Sequence, residues 1–263
     1  MSDIEYSKQG TTALLRFNRP DRMNAITYEM LTDVERIARE VNADDGVRAL
    51  VVTGAGRAFS AGTDLQQLST QPPAMGRAES YGRAYDNDAP APWTFPSIKK
   101  PVIAAINGAA VGLGAEFTLQ CDLRIAGESA RIGWVFVHRG LVPDTAAGTW
   151  LLSRIVGLQE AARLLFSGEI INAARAKEIG YVLGVVADDE LMDHAMELAA
   201  SVSQGSPLSA AEIKRLLYRG LTRDPIEHLA DSSATITRMF ASEDFKEGVR
   251  AFLEKRPPNW VGR

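Results

Sequence analysis

Two apolar runs constrain the fold of this chain more than any other feature. Residues 47–54 (VRALVVTG) and 101–108 (PVIAAING) are apolar over nearly their whole length, and each ends in a glycine. A strand that is apolar on both sides is typical of a parallel sheet with helices on both faces. Because helical patterns alternate with such runs, the sequence predicts an α/β fold.

Other segments extend this alternation of strands and helices. Residues 11–17 (TTALLRF) and 122–126 (DLRIA) have the pattern of strands, and residues 112–121 have the pattern of a helix. Thr27 has the side chain of an N-cap for a helix that would run to about Val41. These segments predict that the first two thirds of the chain form the α/β core.

The last third of the chain differs, because most of its segments from about Trp150 onward have helical spacing. One apolar run, at residues 181–186, could be a further strand. We therefore expect a core over residues 1–200 and a C-terminal helical region over residues 201–263. Residues 66–97 have no clear period and predict a loop containing a poor helix. A connection of this length is often functional.

Composition narrows the functional classes. The 263 residues are 46% hydrophobic and 24% charged, as in soluble globular proteins. The net charge of −4 and the absence of a dense basic cluster argue against a nucleic-acid partner, and no apolar run reaches the roughly 20 residues of a membrane span. With a single cysteine, Cys121, and no signal-like N-terminus, we expect a cytoplasmic protein. The three histidines lack metal-ligand spacing, so we expect no metal site.

Two glycine-rich stretches carry the first functional signal. Residues 54–64 (GAGRAFSAGTD) and 112–117 (GLGAEF) resemble a dinucleotide fingerprint, but Phe59 and Phe117 occupy the position of its third glycine. Each stretch follows a strand and leads into a helix, where backbone N–H groups are unpaired. Two such turns side by side could form an oxyanion hole. Turn chemistry alone favours the alternative, in which the glycines serve only steric needs.

Six blocks of the sequence carry a more specific signal. They are residues 19–26 (RPDRMNAI), 54–65 (GAGRAFSAGTDL), 100–116 (KPVIAAINGAAVGLGAE), 121–126 (CDLRIA), 140–157 (GLVPDTAAGTWLLSRIVG) and 244–260 (DFKEGVRAFLEKRPPNW). In their order and over nearly the whole chain, these blocks resemble the signature blocks of the enoyl-CoA hydratase/isomerase (crotonase) superfamily. The V-P-D motif followed by small residues and T-W-L-L is most similar to the branch that isomerises the ring epoxide in phenylacetyl-CoA breakdown.

The resemblance implies a spiral of repeated β-β-α turns with C-terminal helices that build a homotrimer or homohexamer. It implies an acyl-CoA thioester as substrate and no metal or redox cofactor. The backbone N–H groups of Thr63 and Leu113 would form the oxyanion hole. Phe252 and Lys255 would reach the adenine end of a CoA held by a neighbouring subunit. The full set implied to contact substrate or CoA is Met23, Ala25, Ala61, Gly62, Asp64, Leu65, Gly112, Phe136, Phe252 and Lys255.

Two acidic residues match catalytic positions of different branches. The resemblance places Glu116 at one of the two glutamates of the hydratases, but Phe136 stands where the second would be. Asp144 matches the carboxylate that the isomerases use. Each residue also has a purely structural interpretation. Glu116 could be an acidic first-turn residue favoured by the helix dipole, and Asp144 could be a helix N-cap.

These matches favour isomerisation of an unsaturated acyl-CoA, with Asp144 moving the proton. Hydration of a 2-enoyl-CoA by Glu116 and Asp144 is the alternative. Dehalogenation or hydrolysis through Asp144 ranks lower, since residues 66–97 contain no histidine, and CoA binding without turnover is a further alternative. The aromatic residues of the loop region could line the acyl pocket or only pack the loop; they are Tyr81, Tyr85, Trp93 and Phe95.

Overall fold

The computed structural model describes residues 2–70 and 93–263. In these ranges ten strands form two sheets, and the helices lie against them. The strands are β1 (Ile4–Gln9), β2 (Thr12–Phe17), β3 (Ala49–Gly54), β4 (Ala58–Ser60), β5 (Val102–Ile106), β6 (Ala109–Val111), β7 (Leu123–Gly127), β8 (Arg131–Gly133), β9 (Ile170–Asn172) and β10 (Gly184–Val186). The helices are α1 (Tyr28–Ala43), α2 (Leu65–Thr70), α3 (Leu113–Gln120), α4 (Ala147–Trp150), α5 (Leu152–Val156), α6 (Leu158–Ser167), α7 (Ala173–Glu178), α8 (Leu191–Val202), α9 (Pro207–Gly220), α10 (Pro225–Phe240) and α11 (Glu243–Glu254).

The two sheets are built by successive strand pairs. The main sheet has the order β1-β2-β3-β5-β7-β10, and the second sheet has the order β4-β6-β8-β9. The pairs β3/β4, β5/β6 and β7/β8 each give one strand to each sheet, and a helix follows the first two pairs directly. All neighbours pair in parallel except β1/β2 and β8/β9. The α/β spiral of β-β-α turns is therefore confirmed.

The central strands β3 and β5 of the main sheet are buried on both faces, as their apolar runs predict. In β3 all six residues are buried. Leu50 and Val52 face the larger core, whereas Ala49 and Val51 contact a second cluster that includes residues of α8. Helix α8 thus covers the outer face of the sheet. A strand with solvent on one face would need polar side chains at every second position.

Most elements lie where the sequence predicts them. Strands β2, β3, β5 and β7 and helix α3 match their predicted segments within about two residues. The Thr27 hydroxyl accepts a hydrogen bond from the Met30 amide and caps α1, which runs two residues beyond Val41. The predicted strand at 181–186 is confined to β10. The region predicted as a loop begins with α2, and its residues 71–92 lie outside the described ranges.

A buried ion pair joins the C-terminal helices to the core. Lys214 on α9 donates through Nζ to Asp122 Oδ2 at 2.7 Å and to the carbonyl oxygens of Phe95 and Lys100. Asp122 also accepts from the Tyr218 hydroxyl at 2.8 Å and from the Val102 amide at 2.8 Å. The lysine is 6% exposed, so this cluster satisfies a buried charge with a full set of partners.

Within the described residues, no helix is long and apolar enough to cross a membrane.

Candidate active site

The pairing of β4 with β6 brings the two glycine-rich turns side by side. Ala58 pairs with Ala109 and Ser60 with Ala110, so both strands end at the same edge of the second sheet. The turn after β4 carries Thr63. The turn after β6 opens helix α3 at Leu113. The two residues predicted to form an oxyanion hole therefore lie on neighbouring turns.

The contact between these turns requires glycine. Gly62 has φ of +96°, and a side-chain carbon built on it would lie 2.7 Å from the Val111 carbonyl oxygen and 3.3 Å from the Leu113 nitrogen. Gly112, at the N-cap of α3, has φ of +56°. Both torsion angles disfavour residues with side chains. The steric interpretation of these glycines thus holds, and it is also what brings the two turns together.

The two amide groups are available to a ligand. Ile26 and Thr63 form an isolated parallel bridge, in which the Ile26 amide donates to Gly62 O and the Asp64 amide donates to Ile26 O. The Thr63 amide makes neither of these hydrogen bonds. Among the described residues, neither the Thr63 amide nor the Leu113 amide donates to a protein acceptor. Free amides on adjacent turns are the arrangement that can stabilise an oxyanion.

Glu116 is enclosed one helical turn beyond Leu113. Its side chain is 0% exposed, and its Oε2 accepts hydrogen bonds from the Thr145 hydroxyl and, at 3.1 Å, from the Gly148 amide. Burial disfavours the charged form and raises its pKa from 4.5 to about 7. The helix dipole alone therefore does not explain why Glu116 is buried, because a first-turn carboxyl group can interact favourably with the dipole while it remains in solvent.

Asp144 does not cap a helix. Helix α4 begins at Ala147, its N-cap is Ala146 in a left-handed conformation, and no side chain caps it. The N-cap interpretation was wrong because Asp144 precedes the helix start by three residues. Instead its Oδ2 accepts a hydrogen bond of 3.5 Å from the Thr63 hydroxyl. The carboxylate thus lies beside the predicted oxyanion hole.

Asp144 keeps solvent access in the single chain, although protein surrounds it on most sides. The resulting desolvation raises its pKa from 3.8 to about 6, while the Thr63 hydroxyl opposes the rise. The Asp144 charge also contributes to the raised pKa of Glu116. Two carboxyl groups with perturbed pKa values face one site, which is an arrangement suited to proton transfer near neutral pH.

The aromatic residues predicted for the pocket differ in what they contact. Phe136 is 8% exposed. The Trp93 indole donates to the Thr145 carbonyl oxygen at 2.8 Å, and Phe95 is buried against Phe117 at 5.3 Å between ring centres. Trp93 therefore packs on the turn that carries Asp144. Of the predicted pocket aromatics, Tyr81 and Tyr85 lie outside the described residues.

The residues predicted to bind CoA fall into two groups. The loop around Met23 and the turn after β4 are tied together, since the Ala61 amide donates to Met23 O at 2.9 Å. Arg19 bridges Ala25 O and the Asp64 carboxylate. With Leu65, which is 49% exposed, these residues form one continuous surface beside the glycine turns.

Phe252 and Lys255 belong to the C-terminal helices instead. Phe252 is 82% exposed and lines a cleft of about 710 Å³ formed by α9, α10 and α11. Lys255 caps the end of α11 in a left-handed conformation, with φ of 53°. Their predicted contact with a CoA on a neighbouring subunit remains a prediction.

Sequence reasoning missed three residues that shape the site. Thr145 and Gly148 supply the donors to Glu116, and Trp134 lies buried near the same carboxyl group. The sequence did contain a sign of the role of Gly148, because the run of small residues after Asp144 leaves room for a neighbouring side chain. A carbon built on Gly148 would lie 2.4 Å from Glu116 Oε1.

Comparison with known proteins is consistent with this site. Residues 7–263 match the family model described as enoyl-CoA hydratase/isomerase. The chain is 35% identical over 265 residues to the 2,3-dehydroadipyl-CoA hydratase of Escherichia coli (strain K12), covering 100% of both chains. It is 36% identical over 252 residues to the 1,2-epoxyphenylacetyl-CoA isomerase of the same organism, covering 95% of this chain and 94% of the relative.

Solved structures agree. A crystal structure of an enoyl-CoA hydratase from Bacillus anthracis superimposes with a TM-score of 0.89 at 29% identity, covering 100% of both chains. The similar identities to a hydratase and to an isomerase do not separate the two reactions. The family itself is clear from the match over residues 7–263 and from these relatives. The chain belongs to the enoyl-CoA hydratase/isomerase (crotonase) family, whose enzymes act on acyl-CoA thioesters.

Proposed function

We propose that this enzyme isomerises an unsaturated acyl-CoA by moving a double bond through an enolate. The observation that carries this proposal is the position of Asp144. Its carboxylate lies 3.5 Å from the Thr63 hydroxyl, on a turn beside the two free amides, while position 136 is occupied by phenylalanine. One carboxylate next to an oxyanion hole is sufficient for proton removal and return.

In the proposed reaction, the thioester oxygen accepts hydrogen bonds from the amides of Thr63 and Leu113. Asp144 removes a proton from the carbon next to the thioester, and the electron pair moves into the enolate. The same carboxyl group returns the proton at the far end of the conjugated system, so the product is an isomer of the substrate. A pKa of about 6 leaves most Asp144 ionised at pH 7 and yet able to hold a proton briefly.

The substrate-binding roles are part of the proposal. The continuous surface formed by the loop at Met23 and the turn after β4 would hold the CoA chain near its thioester end, and Phe136 would line the acyl side. Removing one amide donor from an oxyanion hole typically raises a barrier by about 3–4 kcal/mol. The proposed steps use no metal or redox cofactor.

Hydration of a 2-enoyl-CoA is the second candidate, and one observation favours it. Glu116 is buried, has a pKa of about 7 and keeps Oε1 unpaired among the described residues. Such a carboxyl group could hold or protonate a water-derived group. Against hydration stands Phe136, which cannot hold the water from the other side.

An assay in heavy-oxygen water separates the two candidates. A 3-enoyl-CoA and a 2-enoyl-CoA are offered in parallel to the wild type, Asp144→Asn and Glu116→Gln, and products are resolved by mass. Double-bond migration without heavy oxygen, lost in Asp144→Asn alone, is the expected result. Heavy oxygen at the β-carbon, lost in both variants, would establish hydration instead.

Assembly is also proposed. The C-terminal helices expose large apolar side chains, for example Ile226 at 80% and Phe252 at 82%. Exposure of this kind supports the expected homotrimer or homohexamer. Sedimentation velocity of the full chain would distinguish the two states from a monomer.

A further inference from the structure

Within residues 2–70 and 93–263, the indole of Trp134 and the carboxyl group of Glu116 each carry one buried polar atom without a hydrogen-bond partner. These atoms are Trp134 Nε1, a donor, and Glu116 Oε1. Trp134 is 1% exposed and Glu116 is 0% exposed. Native proteins rarely leave complementary buried groups unpaired. We propose that Trp134 is a positioning residue for Glu116, whose indole N–H stabilises Oε1 whenever that oxygen carries no proton.

The hydrogen bonds of Glu116 show which oxygen carries the proton. Oε2 accepts from both the Thr145 hydroxyl and the Gly148 amide. The Thr145 oxygen itself accepts from the Ala147 amide at 3.2 Å, so its hydroxyl hydrogen is free to point at Glu116. Both acceptor positions of Oε2 are therefore occupied. With Thr145 donating to Oε2, the proton of the neutral acid is placed on Oε1.

The chemistry of the indole makes Trp134 selective between the two protonation states. An indole N–H donates and cannot accept. It can donate only a weak hydrogen bond to a protonated Oε1, because that oxygen is a neutral hydroxyl. When Glu116 gives up this proton, the indole can donate a stronger, charge-assisted hydrogen bond to the buried Oε1. Trp134 would thus stabilise the ionised acid more than the neutral acid.

The two side chains are already close. The Trp134 N–H lowers the pKa of Glu116, although no hydrogen bond is closed between them in the structure. This effect opposes burial and the Asp144 charge, which both raise the pKa. Tyr181, a further titratable group near Glu116 among the described residues, stays neutral because burial raises its pKa. Asp144 and Trp134 therefore act on Glu116 in opposite directions.

The indole ring is held rigidly. It packs edge-on against Tyr181 at 5.3 Å between ring centres and 89° between planes. The Tyr181 hydroxyl shares a 2.8 Å hydrogen bond with Thr118, which lies on α3 two residues beyond Glu116. The Arg124 side chain donates to the Tyr181 carbonyl oxygen at 2.8 Å. Since α3 carries both Glu116 and the anchor of the aromatic pair, the indole keeps its place relative to the carboxyl group.

The inference rests on the proposed active site, but it does not depend on which of the two candidate reactions takes place there. Its test concerns the free protein and involves no turnover. If the isomerase proposal fails, the titration of Glu116 still decides the role of Trp134.

The first experiment measures the pKa of Glu116 by infrared spectroscopy of protein labelled with carbon-13 glutamate. Each background is paired with its Glu116→Gln counterpart, so that the difference spectrum isolates the Glu116 band. Trp134→Phe removes the N–H and keeps an aromatic ring. We expect it to raise the pKa of Glu116 by about one pH unit, the shift that corresponds to one lost hydrogen bond.

The matched control is Trp260→Phe, the same substitution in the C-terminal tail, where the indole donates to Gln204 O. It is expected to leave the pKa of Glu116 unchanged. An unchanged pKa in Trp134→Phe, or an equal shift in Trp260→Phe, would overturn the proposal.

A second measurement needs no variant of Trp134 to fold. The chain has four tryptophans, and their indole proton–nitrogen NMR signals are assigned by Phe substitutions at 93, 150 and 260. The remaining signal, from Trp134, should move with a midpoint near pH 7 in the wild type and stop moving in Glu116→Gln. A Trp134 signal that does not follow Glu116 contradicts the inference.

Discussion

The two acids of the active site lie in opposite surroundings. Glu116 is on a fully buried helix, with two fixed donors on one oxygen and no solvent access. Asp144 is on a turn that solvent reaches, with one 3.5 Å hydrogen bond from the Thr63 hydroxyl. Both pKa values are nevertheless raised by desolvation. The comparison suggests that the enclosed acid stores a proton in a fixed place, whereas the accessible acid can follow a substrate.

The strongest test of this division is Asp144→Asn. If Asp144 moves the proton, kcat for double-bond migration should fall by about 10²- to 10⁴-fold, the usual contribution of a positioned base. Glu116→Gln, the matched amide substitution at the other acid, should lose less. Steady-state kinetics with a 3-enoyl-CoA measures both. A larger fall in kcat in Glu116→Gln than in Asp144→Asn would mean that Glu116, and not Asp144, moves the proton.

Stability against pH should also separate the acids. Because the pKa of Glu116 is raised from 4.5 to about 7, the folded state holds this proton more tightly than the unfolded state. The free energy of unfolding therefore falls as pH rises through that window, and the loss is complete above pH 7. Glu116→Gln removes this loss. Relative to wild type, its stability should rise by about 3 kcal/mol between pH 4.5 and 8.

Urea unfolding at fixed protein concentration measures this difference. Asp144→Asn is the comparison variant and should show a weaker pH dependence, since water reaches Asp144 in the folded state. Parallel stability curves for wild type and Glu116→Gln would show that burial does not perturb Glu116.

A smaller effect is expected from Gly148→Ala. The added carbon would lie 2.4 Å from Glu116 Oε1 and 3.0 Å from Pro143 Cβ, so the carboxyl group must move. Overpacking of this kind costs about 1–3 kcal/mol of stability. The control is Gly205→Ala, where nothing lies within 4 Å of the added carbon. Thermal unfolding should separate the two variants, and equal midpoints would mean that Glu116 has room to move.

The smallest effect should come from Thr63→Val. It keeps the backbone amide and removes the hydroxyl that lowers the pKa of Asp144. The acidic limb of the kcat/KM profile should move upward by a few tenths of a pH unit, which is about what one long hydrogen bond contributes. Thr63→Ser restores the hydroxyl and should return the acidic limb to its wild-type position. A profile that is the same in all three proteins would show that the 3.5 Å hydrogen bond does not affect the pKa of Asp144.

Much of this arrangement could be predicted from the sequence. The apolar runs predicted β3 and β5 because a strand buried on both faces needs no polar positions. The second sheet was missed, since its strands have three residues each and show no period. The proximity of Thr63, Leu113, Glu116 and Asp144 followed from the family resemblance, and the structure places Asp144 beside Thr63. Trp134 was missed because it is not part of a recognisable motif, so the sequence does not distinguish it from any other buried aromatic residue.

The ion pair between Asp122 and Lys214 has a consequence for how the protein is made. The partners are separated by 92 residues, and a ribosome adding about 5–20 residues per second needs several seconds to cover that distance. During that time a carboxylate destined for the interior has no lysine, so the strands next to it cannot close over it at low cost. The last helices to be synthesised therefore complete the core, and a chain that stalls before α9 should remain a substrate for chaperones and proteases.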